Sequence, residues 1–189
     1  GHYPAELDAV RAVLEKRLEL RYDGTILCPF FFEGGRLTAQ DIHWVAEGEH
    51  LLPAAQTEFA RDATFGYSRS NLKAWVEEKT QGAVRADDVL SLPLELIRGE
   101  GPDGVCARLK EMRPGRVAII NAVSYRDIQV FVLGLLAAQE AGMRFLLRTS
   151  ASFVKVRSGV EERALLTTGE LSESVARGGL VAVGSYVDK

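Results

Sequence analysis

The chain has 189 residues, 47% of them hydrophobic, which is enough for one globular domain of ordinary size. Lys and Arg number 23 against 26 Asp and Glu, a net charge of −3, and this balance argues against a nucleic-acid partner, whose footprint is an excess of basic residues. The longest apolar run, Val130 to Ala138, is nine residues, too short to span a bilayer, so composition describes a domain without a membrane span.

In chain order, Pro4 to Leu20 carries Leu7, Val10, Val13, Leu14 and Leu18 at helical spacing, with Pro4 suited to the first turn and Glu6 and Asp8 near its positive end. Arg21 to Gly24 reads as a stop and turn, Thr25 to Phe31 as a short buried strand, and Glu33-Gly34-Gly35-Arg36 as the turn beyond it. Alternation from Ile42 to Ala55 predicts a hairpin turning at Gly48. Ser70 to Lys79 reads as a helix ended by Gly82. The rhythm then becomes regular: strand 89–92, helix 102–112, strand 116–123, helix 125–141 closed by Gly142, strand 143–147 and strand 180–183. Strands alternating with helices imply right-handed crossovers, and continuous apolar strands such as 117–120 suit a sheet covered on both faces. The expectation is an α/β, three-layer, Rossmann-like domain with a mainly parallel sheet and a small hairpin excursion near 42–55.

Cys28 and Cys106 stand in apolar surroundings with no CxxC pair and no histidine at zinc spacing, as expected of buried thiols in a reducing cytoplasm. His43 and His50 fall in the hairpin beside Asp41, Glu47 and Glu49, where alternation favours a solvated face over a metal site. Three constellations could bind an anion. Glu33-Gly34-Gly35-Arg36 offers backbone N–H groups and a planar guanidinium, or is a tight turn with a surface arginine. Ser124 with Asp127 is close to a capping box, which leaves Arg126 unexplained. Arg148-Thr149-Ser150-Ala151-Ser152 suits an anionic, hydroxyl-rich ligand or a helix cap. No P-loop, GxGxxG or Ser/His/Asp order is present, and no catalytic residue is assigned.

The ordered series Gly1-His2-Tyr3-Pro4, Leu27-Cys28-Pro29 through Gly34-Gly35-Arg36, Thr57-Glu58-Phe59-Ala60, Phe65-Gly66-Tyr67, Ser70-Asn71-Leu72, Asn121-Ala122 with Tyr125-Arg126-Asp127, Arg148 to Phe153, and Gly184-Ser185-Tyr186-Val187 resembles the four-carbon acid sugar kinase family over essentially the whole chain. The resemblance implies that residues 1–177 form a sugar-acid-binding domain lacking its N-terminal segment, and that 178–189 begin a nucleotide-binding domain, with both ends cut. It implies substrate contacts from His2, Glu33, Arg36, Arg126, Arg148, Thr149 and Ser150, with Arg36 and Arg148 on the carboxylate, and an ATP-side contact from Ser185. ATP and Mg2+ are expected in the full-length enzyme, none bound by this piece alone, and no kinase activity from it. The expected partners are a small sugar acid and the missing nucleotide domain, with a cytoplasmic location. In an isolated piece, missing strands would expose a sheet edge or an apolar domain interface, which favours artificial homodimers. The competing expectation is a non-catalytic sugar-acid-binding or regulatory domain.

Overall fold

Residues 3–171 are described by the computed structural model, in two units, one ending at Gly159 and one beginning at Val160. The strand expected at 180–183, the boundary at 177/178, His2 and Ser185 lie outside these residues. The first unit runs α1 (Ala5–Leu18), β1 (Gly24–Cys28), β2 (Arg36–Ala39), β3 (Ile42–Glu47), β4 (His50–Pro53), α2 (Leu72–Lys79), β5 (Leu90–Leu92), α3 (Leu94–Gly99), α4 (Gly101–Leu109), β6 (Val117–Ile120), α5 (Tyr125–Glu140), β7 (Phe145–Thr149) and α6 (Ala151–Ser158).

The main sheet has the order β5-β6-β1-β7, and every neighbouring pair is parallel. Alternation along the strands builds two cores. Ile26, Cys28, Leu92, Ala118 and Ile120 pack on Ile97, Val105, Leu109, Phe131 and Leu135 of α3, α4 and α5. Leu27, Val117 and Ile119 pack on the other side with Leu72 and Val76 of α2 and with Tyr3. The three layers expected from the apolar strands are therefore present. Within the helical layer, a Cβ on Gly134 of α5 would lie 2.5 Å from Val105 Cβ and 2.7 Å from the Pro102 carbonyl, so α4 and α5 meet across a residue that has no side chain.

Helix α5 starts on a reciprocal box: the Ser124 hydroxyl accepts from the Asp127 N–H at 3.3 Å, and Asp127 Oδ2 accepts from the Ser124 N–H at 3.0 Å. Arg98 adds a two-pronged pair, Nε to Oδ1 at 2.7 Å and Nη2 to Oδ2 at 3.0 Å. Burial alone would raise the Asp127 carboxyl; Arg98, the Val123 N–H and Ser124 together hold it below the usual range.

The apolar stripe on α1 does not face the core as its spacing predicts. No residue of α1 is fully buried, and Val10, Val13 and Leu18 are about half exposed. At 100° per residue Val13 points ~120° away from Leu7, so Leu7 alone joins the core cluster while Arg11 donates to the Thr25 hydroxyl at 3.1 Å. The excursion is larger than the expected hairpin: β2, β3 and β4 form an antiparallel sheet, in which Arg36 is a strand residue and not part of the turn. Gln40 and Asp41, with φ of 53° and 61°, make the two-residue β2–β3 turn. In the second unit, α7 (Thr168–Leu171) opens with Glu170 accepting from the Thr167 N–H at 2.8 Å and from Arg163 at 2.8 Å.

Candidate functional site

The chain runs from β1 out to the edge strand β5, back to β6, then across β1 to β7. Strand order reverses beside β1, and α/β sheets hold ligands beyond strand carboxyl ends at such a point. Two separate groups of polar side chains gather there.

On the α5 and α6 side, Phe30, Phe32 and Tyr125 form an aromatic cluster with centroids 5.6–6.2 Å apart. Glu33 sits on it. Tyr125 donates its hydroxyl to Oε1, Ser152 donates to Oε2 at 3.0 Å, and Lys155 Nζ is 3.8 Å from Oε1. Lys155 also stands 4.5 Å over the Tyr125 ring. The Tyr125 hydrogen bond, with smaller help from the Glu33 N–H, Ser152 and Lys155, holds the Glu33 carboxyl below the ordinary glutamate range. Ser152 Oγ in turn accepts from the Phe32 N–H at 3.0 Å, and the Ser150 hydroxyl donates to the Phe30 carbonyl. Ser150 is the N-cap residue of α6, yet its side chain makes no cap bond.

On the α2 side, the small sheet overhangs the end of β1. Arg36 places its guanidinium carbon 4.5 Å from the Phe59 ring centroid. His43 differs from the solvated hairpin residue its alternation suggests; His50 is exposed, but His43 is half-buried, with Nδ1 3.1 Å from the Thr38 hydroxyl. Burial first, and the nearby Arg36 charge second, push its pKa down to about 4, so the ring is neutral at pH 7. His43, Tyr67 and Arg69 rim a small pocket of about 140 Å3 whose apolar walls are Leu27, Pro29, Leu72 and Trp75. Tyr3 packs on Trp75 with centroids 5.0 Å apart. The loop that presents Tyr67 depends on Gly66, where a Cβ would stand 2.4 Å from the Asp62 carbonyl and 2.8 Å from that of Ala60.

Asn121 ties the overhanging sheet to β6. Its Oδ1 accepts from the Asp41 N–H at 2.8 Å, and its Nδ2 donates to Asp41 Oδ1 at 2.8 Å and to the Leu92 carbonyl at 3.2 Å. Ser91 donates to the same Asp41 oxygen at 2.6 Å, and Lys73 lies 3.8 Å from the other. Thr38 and Ala122 exchange two backbone hydrogen bonds of 2.9 Å beside it.

Of the residues singled out from sequence, Glu33 and Ser150 belong to the α5/α6 group and Arg36 to the α2 side. Arg148 is inside β7, not beyond it, in register with Leu27 on the α2 side, and Nη1 is 4.0 Å from Glu6. Thr149 follows it, pairs with Cys28, and so belongs to the opposite face. Arg126 is exposed on the first turn of α5, with no ion pair among the described residues. From sequence His43 reads as solvated and Tyr67 enters only within the family series, while Arg69, Trp75 and Lys155 are not singled out for a site. For Ser152 and Lys155 a signal existed, since three residues apart on a helix puts both on one face. Among the described residues no three His, Cys, Asp or Glu side chains are grouped to hold a metal ion, and no helix is long and apolar enough to cross a membrane.

A family model described as the sugar-binding N-terminal domain matches residues 1–157. Among solved structures, a Haemophilus influenzae protein of family DUF1537 superposes with a TM-score of 0.56 at 15% identity, covering 78% of this chain and 32% of that one. A DUF1537 domain from Bordetella bronchiseptica, a domain-swapped dimer with bound citrate, gives 0.55 at 21% identity over 80% of this chain and 31% of that one. A second crystal form of it gives 0.55 at 21% identity, over 80% and 32%. The chain thus spans about a third of the length of these structures. No curated protein matches it.

Proposed function

For this chain, which belongs to the family of sugar-binding N-terminal domains, we propose a role as the substrate-binding portion of an ATP-dependent kinase that phosphorylates four-carbon acid sugars, tetronates such as erythronate and threonate or their 3-oxo forms. The family match across residues 1–157 carries the reading. Supporting it, the carboxyl ends of β1 and β7 bring cationic and hydroxyl side chains to one end of the sheet, as an acid bearing hydroxyls requires. The bound citrate of the Bordetella bronchiseptica protein is a carboxylate of the same general kind.

In this reading Arg36 and Arg148 attract the substrate carboxylate, and a guanidinium offers it two parallel N–H bonds. Glu33, Thr149 and Ser150 read hydroxyls, and Arg126 and His2 are the remaining substrate-contact candidates. A site built to bond a hydroxyl rejects an acid lacking it, because its own buried polar groups are then left unpaired. ATP and Mg2+ enter through the resemblance alone. No three His, Cys, Asp or Glu side chains are grouped among the described residues, no step is routed through the metal, and Ser185 is the one ATP-side candidate. A cytoplasmic location and a homodimer belong to the same reading.

A thermal-shift panel of tetronates and 3-oxo-tetronates on the full-length protein tests it, since a ligand of the native state raises the melting temperature. A rise with a tetronate and ATP-dependent phosphorylation by the full-length protein are expected, with no turnover by residues 1–189 alone. No shift with any member of the panel overturns the substrate class. Turnover by residues 1–189 overturns the division of labour.

A further inference from the structure

The pocket beneath the small sheet lies on the face of the main sheet opposite Glu33 and shares no residue with the Glu33 group. Its volume, about 140 Å3, equals about four or five waters at ~30 Å3 each and falls short of the ~300–1,000 Å3 that holds drug-sized ligands. It therefore matches a small molecule of a few carbons. No acidic side chain is among its described lining residues, and Arg69 forms no ion pair among the described residues. Glu77 and Glu78, which line a neighbouring depression with Arg69, have other partners: Glu78 accepts from the Ser68 N–H at 2.9 Å and from its hydroxyl at 2.7 Å, and Glu77 pairs with Arg85 at 3.3 Å. Arg36 adds a second positive charge behind His43. Thr38 engages Nδ1 of the neutral His43 ring, the Leu37 backbone also bonds the ring, and the ring lines the pocket. Trp75 and Leu72 offer a flat apolar wall for a short carbon chain.

We propose that this pocket is the seat of a small monocarboxylate, with its anionic end on Arg69, a hydrogen bond from or to the His43 ring, and its carbon chain against Trp75 and Leu72. The pocket is a second seat, apart from the Arg36 and Arg148 contacts proposed above, and it rests on the acid-sugar reading only for the identity of the acid. Cation, neutral polar group and apolar wall converge on a space of this size, and each fits one part of a short-chain acid. An uncharged isostere keeps the apolar contact but loses the charge-assisted bond, which is the stronger of the two polar terms.

The test is an NMR titration of the 15N-labelled chain with potassium D-threonate, D-erythronate, butyrate and butyramide. The readouts are the Trp75 indole N–H, the His43 ring nitrogens and the backbone amides of Tyr125 and Ser152. The expected result is saturable shifts at Trp75 and His43 with the acids and none with butyramide. Arg69→Gln, at an exposed position that leaves the core untouched, should weaken binding about 10- to 100-fold. Arg113→Gln, at the other end of the sheet, should leave it unchanged. Acids that move Trp75 no more than the amide does, or an Arg69→Gln chain that binds as the parent does, overturn the proposal. If butyrate seats in the pocket and the tetronates bind no tighter, the pocket stands as a seat for short acids and its link to the acid-sugar reading falls. If the tetronates saturate while moving only Tyr125 and Ser152, the reading stands and the pocket proposal falls.

Discussion

Replacing Asn121 by alanine removes the amide that fastens the three-stranded sheet to the end of β6. Three hydrogen bonds of 2.8–3.2 Å disappear, from the Asp41 N–H, to Asp41 Oδ1 and to the Leu92 carbonyl. Asn121 is fully buried, so water does not replace them directly. Each neutral bond is worth about 1 kcal/mol and the one to the carboxylate about 1.5–3 kcal/mol. The carboxylate keeps Ser91 at 2.6 Å and Lys73 at 3.8 Å, which limits the loss. The expected destabilisation is about 2–4 kcal/mol, a large share of the ~5–15 kcal/mol that holds a domain folded. Urea denaturation followed by circular dichroism measures it, and the melting temperature should fall about 2–4 °C per kcal/mol. Asn121→Asp sharpens the test. A second carboxylate beside Asp41 has its folded pKa raised, so the variant should regain stability as pH falls and lose it as pH rises through that pKa. A loss below about 0.5 kcal/mol for the alanine variant would refute the assignment of Asn121 as a clamp.

Other expectations follow from single contacts. His43, held near pKa 4, binds its proton later than the unfolded chain does, so its contribution is present above the unfolded value of ~6.5 and drains away as pH falls toward 4. The parent should lose up to about 3 kcal/mol more than His43→Gln over that window, and parallel pH profiles would contradict it. Glu33 should titrate below an ordinary glutamate by carboxyl-carbon NMR, and Tyr125→Phe should raise it. Its half-exposed carboxylate makes the effect on stability small, present above the unfolded pKa and lost as pH falls through the folded one. Gly66→Ala meets two backbone carbonyls and should cost about 1–3 kcal/mol, with broadened Tyr67 resonances; an unchanged melt would mean the loop moves aside freely.

The parallel sheet was legible because its strands are buried on both faces and read as unbroken apolar runs, as 117–120 does. Helix α5 was legible because Ser124 and Asp127 mark its start and Gly142 its end. Helix α6 was not, because Ser150 and Ser152 have the composition of a ligand loop. The six-residue α3 hides between Pro93 and Gly101. The strand β2 is masked by the glycines before it. The polar groups at the carboxyl ends were legible only in part. Glu33 finds Tyr125 and Ser152 at separations of 92 and 119 residues, which no local pattern reveals. The pocket that His43 lines draws Tyr67, Arg69 and Trp75 from further along the chain, and alternation within a hairpin carries no information about what stands against its outer face.

The pairing of β7 with β1 joins Leu27 to Arg148 and Cys28 to Thr149. Neighbours in sequence are thereby sent to opposite compartments, a guanidinium to one and a hydroxyl to the other. Moving β7 by a single residue would exchange them and invert the charge character of both sides at once. The chemistry at this end of the sheet is thus written partly in strand alignment, so that a backbone register works as a selector of function without any change of side chain.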